Sequence, residues 1–164
     1  MGVIDPIPGT IASSSSFGIP TADEIQQYLE AGWTDWSSTF AWTASTTNPT
    51  LGTGSSVTAL WRYKNAFEVQ AYVYVQMGTT YNKGSGNYLF TVPVPAAFAT
   101  RGALSLLRFN DSGSATRWFG LLFADTTHLV AESISTGIIF NSGNLASILF
   151  ATNNFGFCIN YPTV

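Results

Sequence analysis

The sequence predicts an all-β protein: a jelly-roll-like antiparallel β-sandwich that follows an N-terminal extended arm and one short helix. Residues 67–77 alternate without interruption between two kinds of side chain, as a long central strand does. From residue 103 onward, short apolar runs are separated by turn signals every 8 to 12 residues, a cadence typical of sandwiches and jelly rolls. We therefore divide the 164 residues into an arm (1–20), a helix (21–32) and one β-domain (33–164).

The N-terminal arm contains three prolines, three glycines and four consecutive serines, so it cannot form a regular element by itself. Its apolar side chains recur at intervals that suit an extended segment lying on a neighbouring protein. A floppy tail is an equally good interpretation of the composition alone. The apolar residues of the arm are Val3, Ile4, Ile7, Ile11, Phe17 and Ile19.

A short helix is predicted next, over residues 21–32. Thr21 follows a proline and can act as the N-cap, with Glu24 as its capping-box partner and Gly32 as the stop signal. Acidic residues in the first turn favour the positive end of the helix dipole. This helix has a narrow apolar stripe, which suits a docking or trimer-contact element. The stripe consists of Ile25, Tyr28 and Leu29.

The β-domain begins with a cluster of aromatic residues. Trp33, Trp36, Phe40 and Trp42 fall within ten residues. Such a cluster most often lines the core and closes one end of a β-sandwich. The alternative is a platform on which a sugar stacks, and Trp33 and Trp36 are its candidate glycan contacts.

The central strand divides its side chains between two faces. The inward set is Phe67, Val69, Ala71, Val73, Val75 and Met77. The outward set is Glu68, Gln70, Tyr72, Tyr74 and Gln76. A strand over 57–64 is expected to pair with it as a hairpin. The remaining predicted strands are 87–95, which Pro93 and Pro95 end, then 103–109, 117–124, 128–134, 145–151 and 155–164.

Charged residues make up only 9% of the chain, against roughly a quarter in an average soluble protein. This deficit favours a protein that covers part of its surface by association; a neutral, Ser/Thr/Asn-rich extracellular domain is the alternative. The net charge is −3, and the six Lys and Arg residues are scattered, which argues against nucleic-acid binding. We see neither a signal peptide nor an apolar run of the ~20 residues that a membrane span needs.

The sequence contains no motif typical of a catalytic, metal-binding or cofactor-binding site. The single cysteine, Cys158, lies in an apolar run and is predicted to be a buried, inert thiol. The single histidine, His128, lies near Asp125, but no GxSxG nucleophile elbow accompanies it. A carbohydrate-active enzyme would need two carboxylates in one cleft, and the carboxylates here are dispersed over separate elements. We expect neither a metal nor a cofactor, and no enzymatic activity.

Several features together resemble a family of phage proteins. The sequence has WTDW at the start of the domain, Asn48-Pro49 followed by LGTG, then GTTYNKGSGNYLFTVPV and the final strand FCINYP. In these features residues 33–162 resemble domains of virion structural proteins of tailed phages, those of actinobacterial hosts most closely. Such domains look like trimeric jelly rolls of the tumour-necrosis-factor and complement-head type. The family carries no catalytic residues to transfer.

The resemblance implies a non-enzymatic homotrimer on the virion, made in the host cytoplasm and bound to major capsid or tail proteins. Tyr72 and Tyr74 would then contact neighbouring subunits around the three-fold axis. Head decoration is the first expectation; a minor tail protein that binds a host-surface glycan is the alternative. The residues expected to anchor the trimer to the particle are Ile4, Ile7, Ile11, Phe17, Ile25, Tyr28 and Leu29.

Overall fold

A computed structural model of the chain describes residues 32–99, 105–110, 116–133 and 154–163. These residues contain nine strands and no helix, which confirms the predicted all-β class. The arm, the helix predicted over 21–32 up to residue 31, and the strand predicted at 145–151 lie outside the described residues. The strands are β1 (Thr34–Asp35), β2 (Trp42–Ala44), β3 (Ser56–Asn65), β4 (Glu68–Gln76), β5 (Tyr88–Thr91), β6 (Ser105–Asn110), β7 (Thr116–Phe123), β8 (His128–Ser133) and β9 (Asn154–Pro162).

All nine strands belong to one antiparallel sheet in the order β1-β3-β4-β9-β6-β7-β8-β5-β2. Strands β1 and β2 lie at opposite edges of this sheet, yet only residues 36–41 connect them. A flat sheet of this width would separate its edges by about 38 Å, whereas the connection spans at most about 25 Å. The sheet must therefore curl back on itself, and the curled sheet is consistent with the predicted jelly-roll-like sandwich.

The strand predicted to be central is β4, which pairs with β3 on one side and with β9 on the other. Val69, Ala71, Val73 and Val75 are all fully buried, which confirms the predicted inward set for these positions. Phe67 is an exception, because it is 59% exposed and the prediction of its burial is wrong. It lies in the β3–β4 turn, before the strand begins, where its backbone N–H donates to the side chain of Asn65.

The core fills the inside of the curl with the inward residues of almost every strand, and aromatic rings dominate it. Phe155 of β9 lies 5.3 Å from Trp42 and 5.5 Å from Phe90, measured between ring centroids, and it stacks on Phe109. Complete burial of a side chain of this size contributes about 1.5–3 kcal/mol. The largest fully buried side chains are Tyr88, Phe90, Leu107, Phe109, Leu121, Phe123, Leu129, Phe155, Ile159 and Tyr161.

Two glycine-containing loops, 45–55 and 77–87, hold each other at one end of the sheet. Isolated bridges pair Thr47 with Ser85, and Thr50 with Asn82. Gly84 has a φ of +64°, and a Cβ placed on it would lie 2.1 Å from the carbonyl oxygen of Thr47. Only glycine satisfies both the left-handed backbone and this close approach. Gly84 therefore allows the two loops to pack closely.

Candidate functional site

The centre of the outward side of the sheet carries aromatic and apolar side chains and a single charged residue, an arginine. In one row across four strands, Tyr74 of β4 pairs with Gly156 of β9, Gly156 with Arg108 of β6, and Arg108 with Trp118 of β7. Side chains of paired residues project from the same face of a sheet. This row therefore places two aromatic rings and a guanidinium together above a glycine.

A second row lies directly beside the first. Tyr72 pairs with Cys158, and Leu106 pairs with Gly120. The hydroxyl of Ser105 donates to the carbonyl oxygen of Cys158, which holds β6 against β9 at this level. We call the two rows together the aromatic face. It consists of Tyr72, Tyr74, Leu106, Arg108, Trp118, Gly156 and Cys158.

The aromatic face is open to solvent. Tyr72 is 38% exposed, Leu106 46% and Trp118 51%. A depression of about 400 Å³ lies among their side chains, and Gly156 leaves room at its base. A Cβ on Gly156 would lie 2.9 Å from the carbonyl oxygen of Val73, so a residue with a side chain would not fit here without a shift of the backbone. The face thus combines protruding apolar side chains with a recess.

Amide side chains border the aromatic face at both ends. At one end, the Asn110 side-chain amide donates to Asn154 over 3.0 Å. At the other end, Arg62 Nε donates to the Gln70 side-chain oxygen over 2.9 Å, next to Asn160 of β9. An apolar centre with a polar rim is the usual anatomy of a protein–protein interface.

Cys158 corrects one sequence-based prediction, because its side chain is exposed on this face. In β9, Phe155, Phe157 and Ile159 point inward, so the residues between them point outward. The Gln70 side-chain amide lies 3.8 Å from the Cys158 sulfur. The preference of cysteine for burial suggested the opposite placement, but strand parity decides it here.

Sequence reasoning found the two tyrosines of this face and missed Leu106, Arg108 and Trp118. Both segments that carry these residues are apolar on nearly every position, so their parity is hard to assign from a short stretch. The available signal was Arg108, whose charge places its side chain outward and fixes Leu106 on the same side. Trp118 then follows from the antiparallel pairing of β6 with β7.

The two tryptophans predicted as glycan contacts are placed differently. Trp36 is only 6% exposed and packs edge-on against Phe40, so its burial counts against a role in stacking a sugar. Trp33 is 42% exposed, and the guanidinium carbon of Arg62 lies 4.7 Å from the centre of its ring. For Trp33, glycan contact stays a prediction.

Asp125 and His128 meet in the turn between β7 and β8. Asp125 Oδ1 accepts hydrogen bonds from the backbone N–H groups of Thr127, at 2.7 Å, and His128, at 2.9 Å. Both of its oxygens lie 3.0 Å from His128 Nδ1. Burial raises the pKa of Asp125, but the bonds from Thr127 and His128 and the charge of His128 outweigh it and lower the pKa to about 2. This arrangement closes a turn.

The remaining placements concern metals, membranes and the anchoring residues. Within the described ranges, no three His, Cys, Asp or Glu side chains gather into a group that could hold a metal ion. The same ranges include no helix with the length and apolar character needed to cross a membrane. The residues predicted to anchor the protein, from Ile4 to Leu29, lie outside the described part of the chain.

The chain was compared with known proteins at three levels. No protein-family model, no curated protein and no solved structure matches it.

Proposed function

We propose that this protein is a non-enzymatic surface protein of a bacteriophage virion, which assembles as a homotrimer and decorates the head. The observation that carries the proposal is the aromatic face, an exposed apolar surface bearing a single charge. Clustered apolar side chains exposed on a soluble protein commonly mark an interaction site. A second copy of the chain that covered this face would remove the unfavourable exposure.

The composition supports self-association. With 9% charged residues, the chain has few groups with which to keep its whole surface hydrated. Aromatic side chains and arginine are enriched at the centres of interfaces, and the aromatic face supplies Tyr72, Tyr74, Arg108 and Trp118. A stable interface buries about 800 Å² on each partner. Five adjacent strands, from β3 to β7 through β9, provide a surface wide enough for this.

The non-enzymatic part of the proposal is supported by the Asp125–His128 cluster. The only hydroxyl in the cluster, Thr127 Oγ1, is within 2.9 Å of the same His128 Nδ1 that faces Asp125. In a catalytic triad, the nucleophile instead contacts the ring nitrogen that points away from the carboxylate. In this turn, the carboxylate of Asp125 and the hydroxyl of Thr127 both face His128 Nδ1, so the three groups do not have the order of a catalytic triad.

The virion assignment and the trimeric state are supported by the resemblance of residues 33–162 to structural domains of tailed phages. A second candidate function, a minor tail protein that binds a host-surface glycan, is supported by one observation. Trp33 is exposed at the β1 edge beside Arg62, and an aromatic ring next to a hydrogen-bond donor suits a sugar.

The experiment that tests the proposal is the solution mass of the full-length chain by light scattering. We expect three times the 17.6 kDa mass of one chain. Leu106→Glu, in the aromatic face, should convert the trimer to monomer, because the carboxylate would be buried in the contact. Phe98→Glu is the matched control: Phe98 is also a large exposed apolar residue, 54% exposed, but it lies outside the face.

A monomeric wild-type chain would contradict the proposal, and so would equal dissociation of both variants. The glycan-binding alternative is tested separately with bacterial surface polysaccharide on the wild-type chain and on Trp33→Ala. Loss of binding in that variant would support it.

A further inference from the structure

The aromatic face and the surface beside it carry one cation and one carboxylate that do not meet within the chain. We propose that Arg108 of one copy contacts Glu132 of the next, so that unlike parts of the same sheet face each other around the trimer. This inference rests on the proposed self-association. It goes further by naming the two charges that fix how the copies align.

The sheet register places the two charges on the same side but apart. Arg108 is on β6, and β7 separates it from Glu132 on β8, which pairs with Gly120. Gly120 belongs to the row next to that of Arg108, so Glu132 is displaced by two residues along the strand. Strand spacing and rise together put the two Cα atoms about 12 Å apart.

Within the part of the chain that the structure describes, neither charge has an opposite charge beside it. The ion pairs there are Lys64 with Glu68 and Asp125 with His128. Arg108 is exposed, and Glu132 is partly exposed. A contact that covered either residue without supplying an opposite charge would leave a desolvated ion, which costs several kcal/mol.

Glu132 also lies at a second depression that complements the aromatic face. This depression has a volume of about 380 Å³ and is lined in part by Leu89, Leu122 and Val130. The polar side chains of Asn87 and Glu132 line it together with these apolar residues, whereas the aromatic face has protruding Leu106 and Trp118 around a guanidinium. The two surfaces therefore carry opposite charges, and side chains protrude from one where the other has a depression.

The alignment of the copies follows from this difference. A contact centred on Arg108 of both copies would oppose like charges. A contact that lays β6 of one copy on β8 of the next opposes Arg108 and Glu132 and brings Trp118 toward the second depression. Such a contact between unlike patches forms a ring when its rotation closes, as in a trimer.

The test is a charge exchange in the full-length chain, with the dissociation constant of the assembly measured by light scattering across a concentration series. Arg108→Glu and Glu132→Arg should each weaken assembly by about 10-fold or more, because each opposes like charges. The double variant should return to within about 3-fold of wild type. An equal mixture of the two single variants should also assemble better than either alone, since each contact between unlike chains then pairs opposite charges.

Lys64→Glu is the matched control, because it makes the same charge change at an exposed cation outside the aromatic face and its border. We expect it to weaken assembly by less than about 2-fold. Thermal unfolding of each variant checks that the monomer is folded. A double variant as weak as the single variants, with wild type still trimeric, would overturn the Arg108–Glu132 contact and leave the proposed function standing. A wild-type monomer would overturn both.

Discussion

The two sides of strand β4 differ in how completely the rest of the chain covers their side chains. On the inward side, Val69, Val73 and Val75 are completely covered by other strands of the same molecule. On the outward side, Tyr72 remains 38% exposed, on the same face of the sheet as Trp118, which is 51% exposed. The alternating sequence of β4 thus places one set of side chains in a fully buried core and the other set on an exposed aromatic surface. The inward side accounts for the fold, and the outward side is available for function.

This difference leads to a simple expectation. Substitutions on the inward side should lower the free energy of unfolding of each chain. Substitutions on the outward side should change association while the chain remains folded.

The largest effect is expected on the inward side, at Phe155. Its ring contacts those of Trp42, Phe90 and Phe109, so Phe155→Ala would leave a cavity among aromatic side chains. We expect a loss of about 3–5 kcal/mol in the free energy of unfolding, measured by urea denaturation. The outward control on β4, Tyr74→Ala, should cost less than about 1 kcal/mol. Similar losses for both would refute the separation of the two sides.

The next largest loss of stability is expected in the paired loops 45–55 and 77–87. Gly84→Ala must accommodate both a φ of +64° and a Cβ 2.1 Å from the Thr47 carbonyl oxygen. Gly54→Ala is the matched control, because Gly54 has a φ of +77° and a methyl group added there would meet nothing within 4 Å. We expect about 1 kcal/mol for the control and at least about 2 kcal/mol more for Gly84→Ala, by thermal unfolding. Equal losses would mean that the close approach of the loops is unimportant.

On the outward side, Trp118→Ala should weaken association without unfolding the chain. Tryptophans at the centres of interfaces often contribute more than about 1 kcal/mol, so we expect at least a roughly 10-fold increase in the dissociation constant. The melting temperature of the monomer should change little, since Trp118 is half exposed. Sedimentation velocity over a dilution series measures the first quantity and circular dichroism the second. Unchanged association would remove Trp118 from the contact.

The smallest effect concerns the β7–β8 turn. The folded pKa of Asp125, about 2, lies below its ordinary value of 3.8. Ionised Asp125 therefore stabilises the fold above about pH 4, and this contribution declines as the pH falls toward 2. Because the side chain is 54% exposed, solvent screening limits the effect to about 1 kcal/mol. Asp125→Asn should flatten this part of the melting-temperature profile between about pH 2 and 5; a profile identical to wild type would assign the acid sensitivity to other groups.

The sequence predicted the parts of the fold that depend on local alternation. The hairpin of β3 with β4 and the inward valines of β4 follow from period-two patterns and from the spacing of the turns. Residues 88–91 end as a strand shortly before Pro93, as expected from the missing backbone donor of proline. These features need no knowledge of distant partners.

The sheet order could not be derived in the same way. Whether β9 lies between β4 and β6 depends on contacts between residues far apart in the chain, such as Tyr72 and Cys158, which no local pattern encodes. The extent of the aromatic face depends on that order, because β9 brings Tyr74 and Arg108 together across Gly156. The prediction for Cys158 fails for a different reason: cysteine generally prefers burial, but the alternation of β9 places this residue outward.

If a second copy of the chain covers the aromatic face, it should also protect the native thiol of Cys158 from reagents in solution. Cys158 is the only cysteine in the sequence, and it is exposed on that face. The measurement is the rate at which a small disulfide reagent modifies it over a range of protein concentrations, with the Leu106→Glu variant as the reference. We predict slow modification of the assembled wild type, and rates that rise on dilution to the value for the monomeric variant. Rapid modification at every concentration, in a sample whose mass is that of a trimer, would show that the subunit contact lies elsewhere and that the aromatic face is uncovered.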